Sequence, residues 1–317
     1  MFIGCGALNW DIFFRVEKIE DIRVCEFKLK PGEEYVLERD LFLEFYENLK
    51  KVGYLVFQGG GGSSANTIYA LAKFGFETSF LGAVGEDEFG ERVLQELSEA
   101  SVETKFIRKG GTTSLALILL DKNNDRTIIV SPGTAENYLI FEEKNIPVGT
   151  IYHLTSFASK IGQNFQINLL NALSTKISFD PGEIYSRLGK NFLTPFIKKT
   201  KFLFLTEREL ELSGLAEDEL LEMGVLALFI KKGREGAEVI TKKKRVKSSV
   251  CKAPQIIDNT GAGDFFNAGV LAGLFLKLEI DMALSLGLGV ASLSLRDYGR
   301  RGLPDRKEFK KFLSRLK

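Results

Sequence analysis

The chain holds 317 residues, 44% of them hydrophobic, enough to bury a large core as one big α/β domain or two ordinary ones. Its 43 Lys and Arg against 42 Asp and Glu leave a formal charge of +1, so no global field points to nucleic acid or to an anionic membrane. Cys5, Cys25 and Cys251 stand far apart without Cys-x-x-Cys spacing, which argues against a disulfide frame or zinc ribbon and predicts reduced thiols. No basic leader with an apolar h-region opens the chain, and no apolar run reaches the ~18 residues of a membrane span. A cytoplasmic protein is expected.

Apolar runs of strand length alternate with amphipathic runs of helix length, the pattern of parallel α/β construction. The first predicted strand, Phe2–Ala7, leads into Gly4-Cys-Gly6-Ala-Leu-Asn9-Trp-Asp11. That run imitates a dinucleotide fingerprint, but Asn9 replaces the third glycine and no helix-like sequence follows, so a Rossmann turn is poorly supported. Asn9 and Asp11 lie just past a strand end, where open α/β sheets bind ligands, and a carboxylate there can accept two hydrogen bonds from sugar hydroxyls. Turn formation is the plainer alternative for both.

Residues Ile12–Leu37 read as extended chain with a Lys-Pro-Gly turn at 30–32. The run Gly59–Gly62 resembles a flexible linker, yet Ser63–Phe74 follows at once with helical spacing and a capping serine. Backbone at these glycines can approach a ligand closely, and Asn66 on the first turn offers a donor and an acceptor to a polyol; a simple turn with Asn66 on the surface fits the same residues. Strand Thr78–Val84 and helix Phe89–Ala100 come next, then an alternating segment, Thr113–Val130, that suggests a hairpin about Lys122-Asn-Asn-Asp125. This segment and Ile12–Leu37 are predicted to pair as a small antiparallel sheet, a lid formed by about residues 12–37 and 113–134.

Strands Thr150–Leu154, Ile177–Phe179, Phe202–Leu205 and Leu226–Lys231 then alternate with helices Gly162–Leu173, Arg187–Lys198 and Glu207–Leu212. Helices Ala262–Lys277, Asp281–Leu295 and Asp305–Leu316 close the chain. The single histidine, His153, sits in the apolar run Ile-Tyr-His-Leu and reads as a strand residue with a satisfied ring, which disfavours a histidine triad. With no linker or repeat, residues 1–317 are expected to form one domain.

The most informative run is Asp258-Asn-Thr-Gly-Ala-Gly-Asp264, which opens directly onto the apolar stretch Phe265–Leu276. A helix N-terminus carries unpaired N–H groups and the positive end of the helix dipole, a natural site for a phosphate. Gly261 and Gly263 present no Cβ to keep an anion away. Asp264 would repel that anion unless its task were to take a proton from an attacking group, so the pairing suggests phosphoryl transfer to a hydroxyl. A tight turn capped by Asp264 is the bland alternative. Ala268, Gly269, Ala272 and Gly273 along one side of the following helix favour close approach of a neighbouring element over simple burial of bulk.

Together these residues resemble the ribokinase-like, or PfkB, carbohydrate kinase family over essentially the whole chain. Asp258–Asp264 with Phe-Phe-Asn-Ala-Gly resembles that family's second signature; Gly61-Gly62-Ser-Ser-Ala-Asn66 with Gly82-Ala-Val-Gly85-Glu-Asp87-Glu-Phe-Gly90 echoes the first. The resemblance implies a three-layer α/β/α sandwich with a mainly parallel central sheet and a small β-sheet lid. It implies ATP with Mg²⁺, and it leaves room for a monovalent cation. By carry-over, Asp264 is the base, the amides of Gly261, Ala262 and Gly263 hold the phosphoryl group, and Asn9, Asp11, Gly61, Gly62 and Asn66 bind the acceptor. Lys232-Gly233-Arg-Glu-Gly236 resembles the nucleotide-binding turn. Where the family often has Asn-x-x-Glu, tied to magnesium and phosphate, this chain reads Thr206-Glu-Arg-Glu209, so Glu209 is the residue expected to touch the metal, through water. The segment between Asp11 and Gly59 looks more like the adenosine-kinase-like branch. A small sugar is the expected acceptor and a nucleoside the alternative.

Two readings of other classes stand beside it: a nicotinamide-dependent dehydrogenase built on Gly4–Asn9, and a non-catalytic sugar-binding protein. Exposed edges of a lid sheet often pair with a second copy, which predicts a homodimer through the lid.

Overall fold

The computed structural model describes residues 1–24, 27–123, 125–250 and 256–316. Cys25, Cys251 and Asn124 of the predicted turn lie outside the described residues. Phe2–Cys5 is buried along its whole length because it is a central strand covered on both faces. Phe2 joins the core on one side of the sheet, while Ile3 and Cys5 join the core on the other. Gly4 lets the helix Ser63–Phe74 settle onto the strand, since a Cβ there would lie 2.5 Å from Ile68 Cγ1 and 2.7 Å from Phe80 Cδ2.

In spatial order the central sheet runs Arg245–Ser248, Ala237–Ile240, Ala227–Lys231, Thr200–Thr206, Lys176–Asp180, Ile151–Thr155, Phe2–Cys5, Thr78–Val84 and Val102–Glu103, with Ile107–Lys109 also paired to Thr78–Val84. Its pairings are parallel except at the hairpin edge formed by Ala237–Ile240 and Arg245–Ser248. One face carries Ser63–Phe74, Glu88–Glu99, Ala262–Phe275, Ile280–Ser294 and Arg306–Leu316; the other carries Lys160–Ala172, Gly189–Lys199 and Glu217–Glu222. This is a three-layer α/β/α sandwich. Each predicted strand and helix is present with ends shifted by a residue or a few. The helices Arg39–Leu49, Gly182–Ser186 and Glu217–Glu222 and the edge hairpin were not predicted.

The small residues of Ala262–Phe275 face Ile280–Ser294. A Cβ on Gly269 would meet Gly287 Cα at 2.8 Å, and one on Gly273 would meet Ala283 Cα at 3.0 Å. The two backbones therefore touch, which Leu or Val at these positions would prevent.

A second sheet of five strands stands on the carboxyl edge of the first, ordered Glu34–Val36, Arg126–Ser131, Ser114–Leu120, Asn9–Arg15 and Tyr54–Gly61. The expected antiparallel pairing of the two irregular segments is corrected here. Asn9–Arg15 pairs parallel to Ser114–Leu120, and Glu34–Val36 parallel to Arg126–Ser131. Both Asn9–Arg15 and Ser114–Leu120 follow parallel strands of the body and leave it in the same direction, so they must run side by side. Antiparallel contacts come from the hairpin Ser114–Leu120 with Arg126–Ser131 and from Tyr54–Gly61 against Asn9–Arg15.

Candidate active site

The first strand has Thr78–Val84 on one side and Ile151–Thr155 on the other, so the chain reverses its direction of sheet growth there. Open α/β sheets bind ligands at the carboxyl end of such a switch point. Asp180, Thr206 and Lys231 end three successive strands on that edge, and the five-stranded sheet rises beside it.

The glycine strand meets the helix Ser63–Phe74 here, and each glycine has a separate reason. A Cβ on Gly60 would lie 2.6 Å from Arg300 Nη1 and 2.9 Å from Glu96 Oε2. One on Gly61 would overlap the Asp11 carboxylate, and one on Gly62 the carbonyl oxygen of Ala7. Gly62 is also the residue before the helix, with φ +98° and ψ 129°, a conformation that only glycine adopts without strain. Asn9 begins the adjacent lid strand opposite Gly61, and Asp11 lies two residues on, opposite Gly59. Four of the predicted acceptor residues, Asn9, Asp11, Gly61 and Gly62, thus meet at one corner.

Asn66 joins that corner to Asp264. Its Nδ2 donates to Asp264 Oδ2 at 2.9 Å, while Ser63 Oγ donates to Oδ1 at 2.5 Å. Thr67 Oγ1 donates to the Asp264 carbonyl at 3.0 Å, locking the two helices together. The helix Ala262–Phe275 begins at Gly261, with φ +76° and no capping side chain, so its end is open. Ala262 N–H turns back to the Asn259 carbonyl at 3.3 Å, so of the three amides expected to hold the phosphoryl group this one is engaged within the turn. Gly263 and Asp264 occupy the next positions of the first turn, whose N–H groups have no carbonyl within the helix to bond.

Burial pushes the Asp264 carboxyl up to about 6, against the pull of its bonds from Ser63 and Asn66; nearby Asp180 adds to the rise and Lys231 opposes it. Asp11 is pushed to about 7 by burial, partly offset by Arg300 and reinforced by Asp264, Glu96 and Asp258. Two neighbouring acids raise each other.

Lys231 was not among the predicted site residues, but its Nζ lies 2.6 Å from Asp180 Oδ2 and 3.6 Å from where a Gly263 Cβ would stand. Asn267 Nδ2 donates to the same Asp180 oxygen at 2.7 Å. Although burial works the other way, Lys231 and Asn267 hold the Asp180 carboxyl below its usual range. Neighbouring strand residues point to opposite faces, and Lys232 accordingly turns away, pairing with Glu207 and Glu238 at 2.9 Å each. Gly233 begins a short turn at φ +56° with open space around it, and Gly236 closes the turn at φ +100° against the Ser248 carbonyl.

The departure at Thr206 has a local reason. Thr206 Oγ1 accepts from Glu209 N–H at 3.1 Å, and Glu209 Oε2 accepts from Thr206 N–H at 2.7 Å, a reciprocal cap for the helix Glu207–Ser213. One Glu209 oxygen is thus committed to the backbone. His153 is buried beside this cluster with Nδ1 2.9 Å from Ser178 Oγ, while Nε2 has no protein partner, so its ring is only half satisfied. Burial pushes it down to about 4, and it stays neutral near pH 7.

Ser63, Asp180, Lys231, Asn267 and Arg300 escaped the sequence reading. Asp180 and Lys231 carried a usable signal, a polar residue ending an apolar strand. Arg300 sits in Asp-Tyr-Gly-Arg-Arg-Gly, where nothing distinguishes it from Arg301, yet Arg300 is buried and Arg301 is exposed.

An α/β/α sandwich with an acid at an open helix end and a sheet beside it describes a small-molecule kinase. Residues 36–306 match the pfkB family carbohydrate kinase, and the chain belongs to that family of ATP-dependent kinases. It is 33% identical over 249 residues to an uncharacterized sugar kinase of Archaeoglobus fulgidus, covering 74% of this chain and 98% of that one. It is 29% identical to a nucleoside kinase of Methanocaldococcus jannaschii, covering 75% and 80%. The fold superposes on the Burkholderia thailandensis nucleoside kinase in complex with inosine with a TM-score of 0.82 at 20% identity, over 100% and 98% of the chains. Sugar and nucleoside kinases thus bracket the chain. No helix of the described residues is long and apolar enough to cross a membrane.

Proposed function

We propose that the chain transfers the γ-phosphate of ATP to a hydroxyl of a small, ribose-like sugar, with Asp264 as the general base. The observation that carries this reading is the Asp264 carboxylate, held by Ser63 and Asn66 at the uncapped end of a buried helix with Lys231 close by. The acceptor lies among Asn9, Asp11 and Gly61. Its hydroxyl gives a proton to Asp264 as its oxygen bonds to phosphorus, the bond from phosphorus to the bridging oxygen breaks, and ADP leaves. The Gly263 and Asp264 N–H groups and Lys231 face the charge that builds on the phosphoryl oxygens. Gly233 and Gly236 shape the turn that would lie along the nucleotide, while Lys232 braces it from behind.

Among the described residues no three His, Cys, Asp or Glu side chains cluster as a metal centre. Mg²⁺ would be held chiefly by the nucleotide's phosphates, with the Glu209 oxygen not bonded to Thr206 N–H, and Asp180, as partners through water. Bound there, the ion would neutralise phosphate charge. The five-stranded sheet is assigned the role of a lid that excludes competing water. Its Tyr54–Gly61 edge exposes Tyr54 and Leu55, and a second copy pairing along it would cover both.

Phe13 shares a strand face with Asp11 but is sealed against Phe57, with ring centroids 5.4 Å apart, and against Tyr298 at 6.3 Å. The strand therefore offers polar grip only near Asn9 and Asp11, which suits a polyol. A nucleoside, the acceptor class named for two similar proteins, is the second reading. ADP release on a panel of pentoses, hexoses, sugar phosphates and nucleosides separates the two. Asp264→Asn should lower turnover on the best acceptor by ~10²–10⁴ with ATP affinity kept. Wild-type turnover in that variant would overturn the base assignment.

A further inference from the structure

Arg300 is 7% exposed, and its guanidinium is engaged on every side. Nε donates to Asn66 Oδ1 at 2.9 Å, Nη1 to Glu96 Oε2 at 3.3 Å and Nη2 to the Gly61 carbonyl at 3.4 Å, and the group lies 4.7 Å from the centre of the Tyr69 ring. Glu96 also accepts from Gly60 N–H at 2.8 Å, so the glycine strand, the helix Glu88–Glu99 and Arg300 are tied at one point.

A carboxamide has two unlike ends, and a guanidinium can only donate. Facing Arg300, Asn66 must present its oxygen, and its NH₂ is then obliged to face Asp264. Without the guanidinium, the amide is free to turn over and accept from a protonated Asp264, which favours the acid over the carboxylate. We infer that Arg300 is a positioning residue: by fixing the orientation of the Asn66 amide it guarantees Asp264 an N–H donor, keeping the base ionised and its free lone pair aimed at the acceptor. The inference rests on the proposed role of Asp264.

The other charges acting on Asp264 are Asp11 from the lid strand, and Asp180 and Lys231 from the central sheet; Arg300 itself adds a distant positive charge. Charge and amide orientation must therefore be separated. In free protein labelled with ¹³C at the aspartate carboxyls, the signal lost in Asp264→Asn reports this group directly. Arg300→Met removes both the charge and the donor, and Asn66→Ala removes the amide through which they would act. Arg300→Met should raise the Asp264 midpoint from about 6 by roughly 1 unit, and should add no further rise once Asn66→Ala is present. An unchanged midpoint in Arg300→Met, or an equal rise from it in the Asn66→Ala background, overturns the inference, because Arg300 would then act not at all or through its charge alone. Should neither variant fold, Glu96→Gln loosens the same guanidinium from its far side and should shift the midpoint in the same direction by less; an unmoved midpoint there also overturns it. Turnover of Asp264→Asn with ATP and ribose or inosine tests the base role on its own. An inactive Asp264→Asn together with unmoved titrations would sink the positioning role alone.

Discussion

At Asp264 the needs of folding and of catalysis pull apart. Burial raises its carboxyl from 3.8 to about 6, so the folded chain favours the protonated acid more than the unfolded chain does. The stability this gives is complete below about pH 4 and is lost as the pH rises through about 6. Asp264→Asn removes the charge while keeping the bonds to Ser63 and Asn66. We expect the ligand-free variant to melt higher than wild type at pH 8, with the gap closing by pH 4; equal melting temperatures at pH 8 would show that the acid is not strained. Activity follows the opposite sense, because the base must be ionised. The value of kcat/KM should fall tenfold per unit of acidification below about pH 6 in the free enzyme.

At the level of elements, the glycine run shows how one short segment serves three contacts. Gly62 combines a positive φ with contact against the Ala7 carbonyl, whereas Gly233 has a positive φ in open space. Gly233→Ala should cost only about 1–2 kcal/mol, the strain of the left-handed conformation. Gly62→Ala adds a backbone collision and should cost more, shifting the urea midpoint further; equal shifts would mean that the collision relaxes. The sequence showed that these glycines end against a helix. It did not show that Tyr54–Gly61 is a strand, because three glycines remove the alternation by which strands are read. Arg39–Leu49 was equally hidden, although Phe42, Phe45 and Leu49 line its buried face, because only three of its residues are buried and charged residues surround them.

For the molecule as a whole, the layers were legible because parallel strands buried on both faces are apolar throughout and separated by amphipathic helices. The antiparallel edge hairpin, with exposed Lys and Arg on Arg245–Ser248, lacked that signal. The site was legible where glycine and carboxylate coincide in sequence, and hidden where partners come from afar. If a second copy does pair along Tyr54–Gly61, sedimentation should show a dimer for wild type and a monomer for Leu55→Asp; a monomeric wild type at high concentration rejects the pairing. The contact from Ser63 to Asp264 spans 201 residues, and that from Asn66 to Arg300 spans 234. Such distant partners mean that the corner proposed as catalytic is complete only once nearly the whole chain has been synthesised. A chain cut just before position 300 would hold its acid and its serine but not the guanidinium that sets the amide of Asn66 toward that acid.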